Sequence, residues 1–189
     1  MVTLRATRKV LGRLPRPIRS VDVPSNTALG DWYVTRLVVD RQPLLLLVSS
    51  RSLLAILAPA RDVRGLAGHL PDLVAARLRR LGVPAPIAQA EISAMAPVHV
   101  GPTRDRSVVG SMTDFAKSVP HYLEVGGWDT TTLPFVEARL AETPCRTARQ
   151  RASVIFPEQE APRLLAAKWP MPMPSIDFKL DLGVHGTRS

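Results

Sequence analysis

The sequence predicts an α+β protein: a small, mainly antiparallel sheet with about four packing helices, in a single domain followed by a C-terminal tail. Three strand-like segments follow one another between residues 32 and 58, and their short connections favour an antiparallel meander. Segments after residue 70 carry apolar residues at helical spacing, with proline or glycine at their ends. The length of 189 residues suits one domain and a tail better than two domains.

The strands are predicted from alternation and from β-branched content. Residues 2–6 alternate apolar and polar side chains, which indicates a half-buried strand. Residues 32–39 are rich in aromatic and β-branched side chains, and residues 44–48 form the continuous apolar run of a strand buried on both faces. Residues 53–58 return as a third strand of the meander, although a helix over 52–57 remains open. A short strand is predicted at 98–100.

The helices are predicted from apolar spacing and end signals. Val108, Met112, Phe115 and Val119 make an amphipathic face that Thr103 or Asp105 can cap, with Pro120 ending or kinking the helix. The remaining predicted helices are a short one through 9–14, one opened by Pro71 and Asp72 and closed by Gly82, one at 86–95, and one capped by Thr132.

The composition changes after Cys145, and this change sets the predicted domain boundary. Residues 1–145 are expected to form the compact α+β domain. Arginine clusters after 145 and proline recurs up to residue 174, which is typical of an extended segment. Residues 146–189 are therefore predicted to be a basic, proline-rich and partly disordered tail, with one short helix near 163–168.

The overall composition predicts a cytoplasmic protein with no membrane segment. The longest apolar stretch, residues 44–60, is interrupted by polar residues, and it is shorter than the roughly 20 residues that a membrane span needs. A single cysteine, Cys145, cannot form an internal disulfide, and no zinc-ligand spacing is present. No metal and no cofactor are predicted.

The charge is strongly positive. The formal net charge is +9, and arginine supplies 21 of the 25 basic residues. The guanidinium fork matches the geometry of phosphate, so this usage favours a nucleic-acid partner. A GC-rich genome would produce the same arginine-rich composition, and this alternative stays open.

Two basic segments are the candidate anion-binding sites. The N-terminal segment has no acidic residue before Asp22 and could follow a phosphate backbone; its candidate residues are Arg5, Arg8, Lys9 and Arg13, with Arg16 and Arg19 beyond them. The second segment is Arg104, Arg106 and Ser107 at a predicted helix start, where free N–H groups attract anions. The alternatives are a solvated surface for the first segment and an Asp105 cap for the second.

A catalytic role, or base stacking, near these segments is a further possibility. Metal-independent RNA cleavage needs one base and nearby cations, and His99, His121, Arg104 and Arg106 flank a single segment. Trp32 and Tyr33 could stack on bases if exposed, but in a strand they are more often core residues. No glycine-rich phosphate loop is present.

Four stretches resemble an uncharacterised family of small bacterial proteins: the first strand running into Thr7–Lys9, Gly30–Tyr33, Thr103–Ala116, and Arg139–Cys145. In some members of that family the domain precedes a second domain that resembles the third open reading frame of an Agrobacterium plasmid. The resemblance implies a stand-alone α+β domain and a mobile-element or defence context. It implies no activity, and here a short proline-rich segment stands in place of the second domain.

Together these features predict a non-enzymatic protein associated with RNA or DNA. Two alternatives remain open. One is a small metal-independent ribonuclease-like enzyme or toxin. The other is an interaction module that binds a protein partner through its proline-rich tail.

Overall fold

Five strands form one mixed sheet in the order β4-β3-β2-β1-β5. They are β1 (Val2–Ala6), β2 (Trp32–Val39), β3 (Gln42–Ser49), β4 (Ala55–Pro59) and β5 (Val98–Pro102). The computed structural model describes residues 1–14, 24–61, 63–123, 129–146 and 154–170. The α+β fold class is confirmed. The predicted sheet was mainly antiparallel, whereas β1 pairs in parallel with both β2 and β5.

The predicted meander of β2, β3 and β4 is confirmed, because both of its pairings are antiparallel. Asp40 and Arg41 connect β2 to β3 with φ angles of 49° and 64°. Positive φ at both central residues is the geometry of the two-residue hairpin turn that matches strand twist. The helical alternative for 52–57 is wrong, since Ala55 to Pro59 pair with β3 along their whole length.

Six helices are present in the described parts of the chain, and each overlaps a helix that the sequence predicted, although the number of packing helices was predicted as about four. They are α1 (Arg8–Leu11), α2 (Leu66–Arg80), α3 (Ala85–Ala94), α4 (Arg106–Tyr122), α5 (Leu133–Ala141) and α6 (Pro157–Lys168). Two of them are longer than predicted. α2 begins at Leu66, before the predicted start at Pro71, and α4 continues past Pro120 to Tyr122. A second, two-stranded sheet pairs β6 (Cys145–Arg146) with β7 (Val154–Ile155).

Helices cover both faces of the main sheet. On one face, strand residues such as Leu4, Trp32 and Leu47 share a core with residues of α1, α2, α3 and α6. On the other face, Tyr33 and Leu46 share a core with residues of α4 and α5. This layering explains why the run at 44–48 is wholly buried, as predicted for a strand covered on both sides. Trp32 and Tyr33 are core residues and are not available for base stacking.

Part of the predicted tail packs against the domain. The sequence predicts a tail from residue 146 with a short helix near 163–168, whereas α6 starts at Pro157. Its residues Ala161 and Leu165 are fully buried in the first core. Apolar side chains recurring at this spacing let the helix bury one face despite the nearby prolines. Residues 147–153 and 171–189 of the predicted tail lie outside the described residues.

Candidate functional site

The carboxyl ends of β1 and β5 lie side by side, because Ala6 of β1 pairs with Pro102 of β5 in a parallel register. The chain then leaves β1 through α1, on the first face of the sheet, and leaves β5 through α4, on the second. In open sheets, ligands bind outside the carboxyl ends of strands at the point where the connections diverge in this way. Both predicted basic segments therefore leave the sheet at the same end, beside the carboxyl ends of β1 and β5.

The N-terminal basic residues divide into two groups. Arg5 is buried, and its Nε donates to the Asp31 carboxylate at 2.6 Å. Arg8, Lys9 and Arg13 are exposed. The prediction placed all four in one anion-binding stretch, but the alternation of β1 turns Arg5 into the fold. Arg5 thus stabilises the sheet, and three cations remain on the surface.

A first open groove of about 570 Å³ lies between α1, the end of β2 and α4. Its cationic lining residues are Lys9, Arg13 and Arg36. Leu37, Ala116 and Pro120 are among its apolar lining residues. The structure thus joins two predicted residues to Arg36, which sequence reasoning missed.

A second open groove of about 610 Å³ adjoins the first, since Arg13 lines both. Its other cations are Arg61 and Arg64, from the connection between β4 and α2. Five cations therefore surround the two grooves, and among the described residues that line them none is acidic. We call this surface the twin basic grooves: Lys9, Arg13, Arg36, Arg61 and Arg64.

The start of α4 is capped from within the chain. The Asp105 Oδ1 atom accepts from the backbone N–H of Ser107 at 2.8 Å and of Val108 at 3.4 Å. A carboxylate at this position satisfies donors that an anion would otherwise use. The predicted capping alternative is therefore realised by Asp105, while Arg104 and Arg106 are exposed beside it.

A buried network connects this helix start to the sheet. The backbone N–H of Asp105 donates to the Tyr33 hydroxyl at 3.1 Å. Burial raises the pKa of Tyr33, against a smaller opposing effect of that hydrogen bond and of Arg5. Asp31, directly before β2, accepts from Arg5 and from the backbone N–H of Thr3 and so holds β1 to the start of β2.

One of the two histidines considered for RNA cleavage, His121, is far from its predicted partner Arg106. His121 follows Arg106 by fifteen residues on α4, which is about 22 Å of helix rise. His99 lies half-buried on β5, opposite Thr3 of β1. The geometry gives His121 no shared pocket with Arg106 along the helix.

The groove residues that the sequence analysis did not predict, Arg36, Arg61 and Arg64, have only a weak signal in the sequence. Arg36 lies on the same face of β2 as Val34 and Val38, so a cation occupies a position where the strand pattern predicts an apolar side chain. Arg61 and Arg64 lie in the connection between β4 and α2, and their sequence surroundings are typical of a solvated loop. Only the packing of α1 against the sheet brings these arginines to Lys9 and Arg13.

Other kinds of site receive no support within the described residues. These residues contain no group of three or more potential metal ligands among histidine, cysteine and acidic side chains. Cys145 is a buried free thiol, and burial raises its pKa to about 11, with a smaller effect of Asp114. In the same part of the chain, no helix combines the length and apolar character needed to cross a membrane.

The fold and the grooves define a small three-layer α+β domain with a cationic surface beside one edge of its sheet. Residues 3–160 match the family described as "Domain of unknown function (DUF6933)", and the chain therefore belongs to that family. The match includes β7 and the start of α6, beyond the predicted boundary at residue 145. No curated protein and no solved structure shows a significant match to this chain.

Proposed function

We propose that this protein binds RNA or DNA through the twin basic grooves and that this role is non-enzymatic. The observation that carries the proposal is the clustering of five cations around two adjoining grooves that share Arg13. Four of these side chains, Lys9, Arg13, Arg61 and Arg64, are exposed. Two adjoining cationic grooves fit a phosphate backbone, which carries a series of charges, better than they fit a compact ligand.

The mode of binding follows from the character of the grooves. They are open, and Trp32 and Tyr33 are buried, so these two rings contribute nothing to stacking. Contacts to phosphate supply affinity without sequence information. The expected interaction is therefore nonspecific and strongly dependent on salt.

The exposed cations Arg8, Arg104 and Arg106 extend this surface in the proposal. α1 contacts both β2 and β5, so it lies between the grooves and the start of α4. Arg106 is ten residues from the groove residue Ala116 on the same helix, about 15 Å of rise. A bound nucleic-acid strand that reached both regions would cross the carboxyl ends of β1 and β5.

The test is binding of single-stranded RNA and duplex DNA at several salt concentrations, on a gel that also reveals cleavage. The variant changes Lys9, Arg13, Arg61 and Arg64 to glutamine together. Its control makes the same change at four exposed cations that line neither groove, Arg79, Arg139, Arg146 and Arg163. Both variants lose four charges, so any difference between them reports position and not net charge.

For duplex DNA, each neutralised phosphate contributes about 0.9 to the slope of log affinity against log salt. If all four cations contact phosphates, the groove variant should reduce that slope by roughly 3 to 4, and the control should change it far less. Equal slopes for the two variants would refute the groove as the binding surface. Cleavage of RNA by the unmodified chain would replace the proposal with the ribonuclease alternative.

The wider context is part of the same proposal. We infer a bacterial origin and a cytoplasmic location, and a kinship with proteins that carry the plasmid open-reading-frame domain described above. Binding of a protein partner is proposed for the proline-rich tail, residues 146–189, of which 147–153 and 171–189 lie outside the described residues. Removal of residues 171–189 should leave the salt-dependent binding of nucleic acid unchanged.

A further inference from the structure

The first of the two basic grooves lies where β2 extends beyond its neighbour β1. β1 ends at Ala6, opposite Val34, whereas β2 continues to Val39 beside β3. The edge of β2 after Val34 therefore faces no paired strand on that side. Four consecutive residues of this edge, Arg36 to Val39, line the groove, with α1 and α4 on either side of it.

The backbone of this edge points into the groove. The residue after β1 donates its N–H to the Val34 carbonyl at 3.0 Å, so the peptide groups of Val34 face β1. Pro43, the partner of Val38 in β3, accepts from the residue after β4, so it faces away from β2. Groups two residues apart on a strand point the same way. The N–H and C=O groups of Arg36 and Val38 therefore face the open edge.

Arg36 differs from the other arginines that the fold withdraws from water. Arg5, Arg51 and Arg77 each donate to a carboxylate or a carbonyl oxygen. Arg36 is half-buried as a residue, and its Nε is inaccessible to solvent and has no hydrogen-bond partner among the described residues. A buried donor without an acceptor is costly, and native structures rarely keep one without a reason.

We propose that this groove is a discrete subsite for one phosphate group, with Arg36 as its anchoring residue. The proposal rests on the proposed function, because it identifies where a nucleic acid would place a single phosphate. The guanidinium fork and a backbone N–H of the β2 edge supply directed donors, and charge comes from Lys9 of α1 and from Arg13, two residues after α1. The apolar wall strengthens these interactions by excluding water from one side.

The test begins with inorganic phosphate titrated into the full chain and followed by amide NMR. The amide signals of Arg36 and Val38 should move the most. Arg36→Lys keeps the charge but removes the fork, and it should weaken phosphate binding about tenfold or more. The matched control is Arg64→Lys in the neighbouring groove, where an exposed point charge is sufficient and affinity should change little.

Oligonucleotides with and without a 5′-phosphate then distinguish the source of the phosphate group. Preference for the phosphorylated strand assigns the subsite to a terminal monoester, and equal affinity with loss in Arg36→Lys assigns it to a backbone diester. If Arg36→Lys destabilises the fold, Lys9→Gln with Arg13→Gln repeats the test from the exposed wall of the groove. Melting temperatures of all the variants establish which comparison applies.

The two proposals fail in different ways. Equal phosphate affinity for Arg36→Lys and Arg64→Lys would overturn the subsite, even if oligonucleotides still bind with a salt-dependent slope. Phosphate binding that requires Arg36, in a chain that binds no oligonucleotide, would support the subsite and overturn the nucleic-acid function. An unmodified chain whose Arg36 and Val38 amide signals do not respond to phosphate would also overturn the subsite.

Discussion

Replacement of Glu137 by alanine should be among the most destabilising single changes in this protein. Glu137 of α5 is 1% exposed. Its carboxylate accepts from the backbone N–H of Leu57 at 2.9 Å and from Arg80 at 2.6 Å, and it lies 3.7 Å from the Nε atom of Arg77. Arg77 in turn donates to the carbonyl of Ala55. The backbone at the outer edge of β4 is thus hydrogen-bonded to the carboxylate of Glu137 and the guanidinium of Arg77.

The magnitude follows from what the substitution leaves behind. Burial lowers the pKa of Arg77, and the charge of Glu137 opposes that effect. Without Glu137, Arg77 remains buried without a counterion, and such losses cost about 3–5 kcal/mol. For a chain of this size that corresponds to a fall in melting temperature of roughly 6–20 °C.

The assay is urea unfolding followed by circular dichroism, with thermal melting in parallel. The control is Glu142→Ala, since the ion pair of Glu142 with Arg139 is about half exposed on both sides and should contribute less than about 1 kcal/mol. The double change Arg77→Met with Glu137→Leu removes both charges and should recover much of the loss. A Glu137→Ala variant no less stable than Glu142→Ala would refute the reasoning.

The remaining predictions concern two other buried groups, Glu91 and Cys145. Glu91 accepts from the backbone N–H groups of Ala28 and Leu29 and from the Trp169 indole. Glu91→Ala should therefore cost about 2–4 kcal/mol in urea unfolding and shift the emission of Trp169 to longer wavelength. A loss below about 1 kcal/mol, with unchanged emission, would contradict the hydrogen-bond explanation. The pKa of Cys145 is raised from 9.0 to about 11, so at pH 8 the folded chain should contain about 100-fold less thiolate than the unfolded chain and react correspondingly more slowly with iodoacetamide. Because unfolded chains deprotonate first, this thiol should also reduce stability as the pH rises from about 9 to 11, and a Cys145→Ser variant that shows the same decline would exclude that cause.

Local patterns predicted most of the strands and helices. Alternation over residues 2–6 is a property of neighbouring side chains, as is the apolar face of α4, and both appear in the structure. The same holds for the Asp105 cap, which joins residues two and three positions apart. Such features depend on backbone geometry over a few residues, and the sequence displays that geometry directly.

Partners that lie far apart in the chain were not predictable in this way. The parallel pairing of β1 with β5 joins Val2 to Val98, and no local pattern distinguishes it from an antiparallel arrangement. The same limit applied to α6, whose prolines are typical of an extended tail although Ala161 and Leu165 complete a core built mainly from earlier segments. These outcomes depend on which apolar surfaces remain to be covered once the sheet has formed.

The sequence by itself determined that this chain has apolar content for a core, strands and helices at defined positions, and an excess of arginine. It did not determine where that charge lies. Burial of Arg5 against Asp31 and the meeting of Lys9 and Arg13 with Arg36, Arg61 and Arg64 were decided by tertiary structure alone. The physical reason is that charge is a property of composition, whereas a binding surface exists only after packing has brought distant side chains to one place.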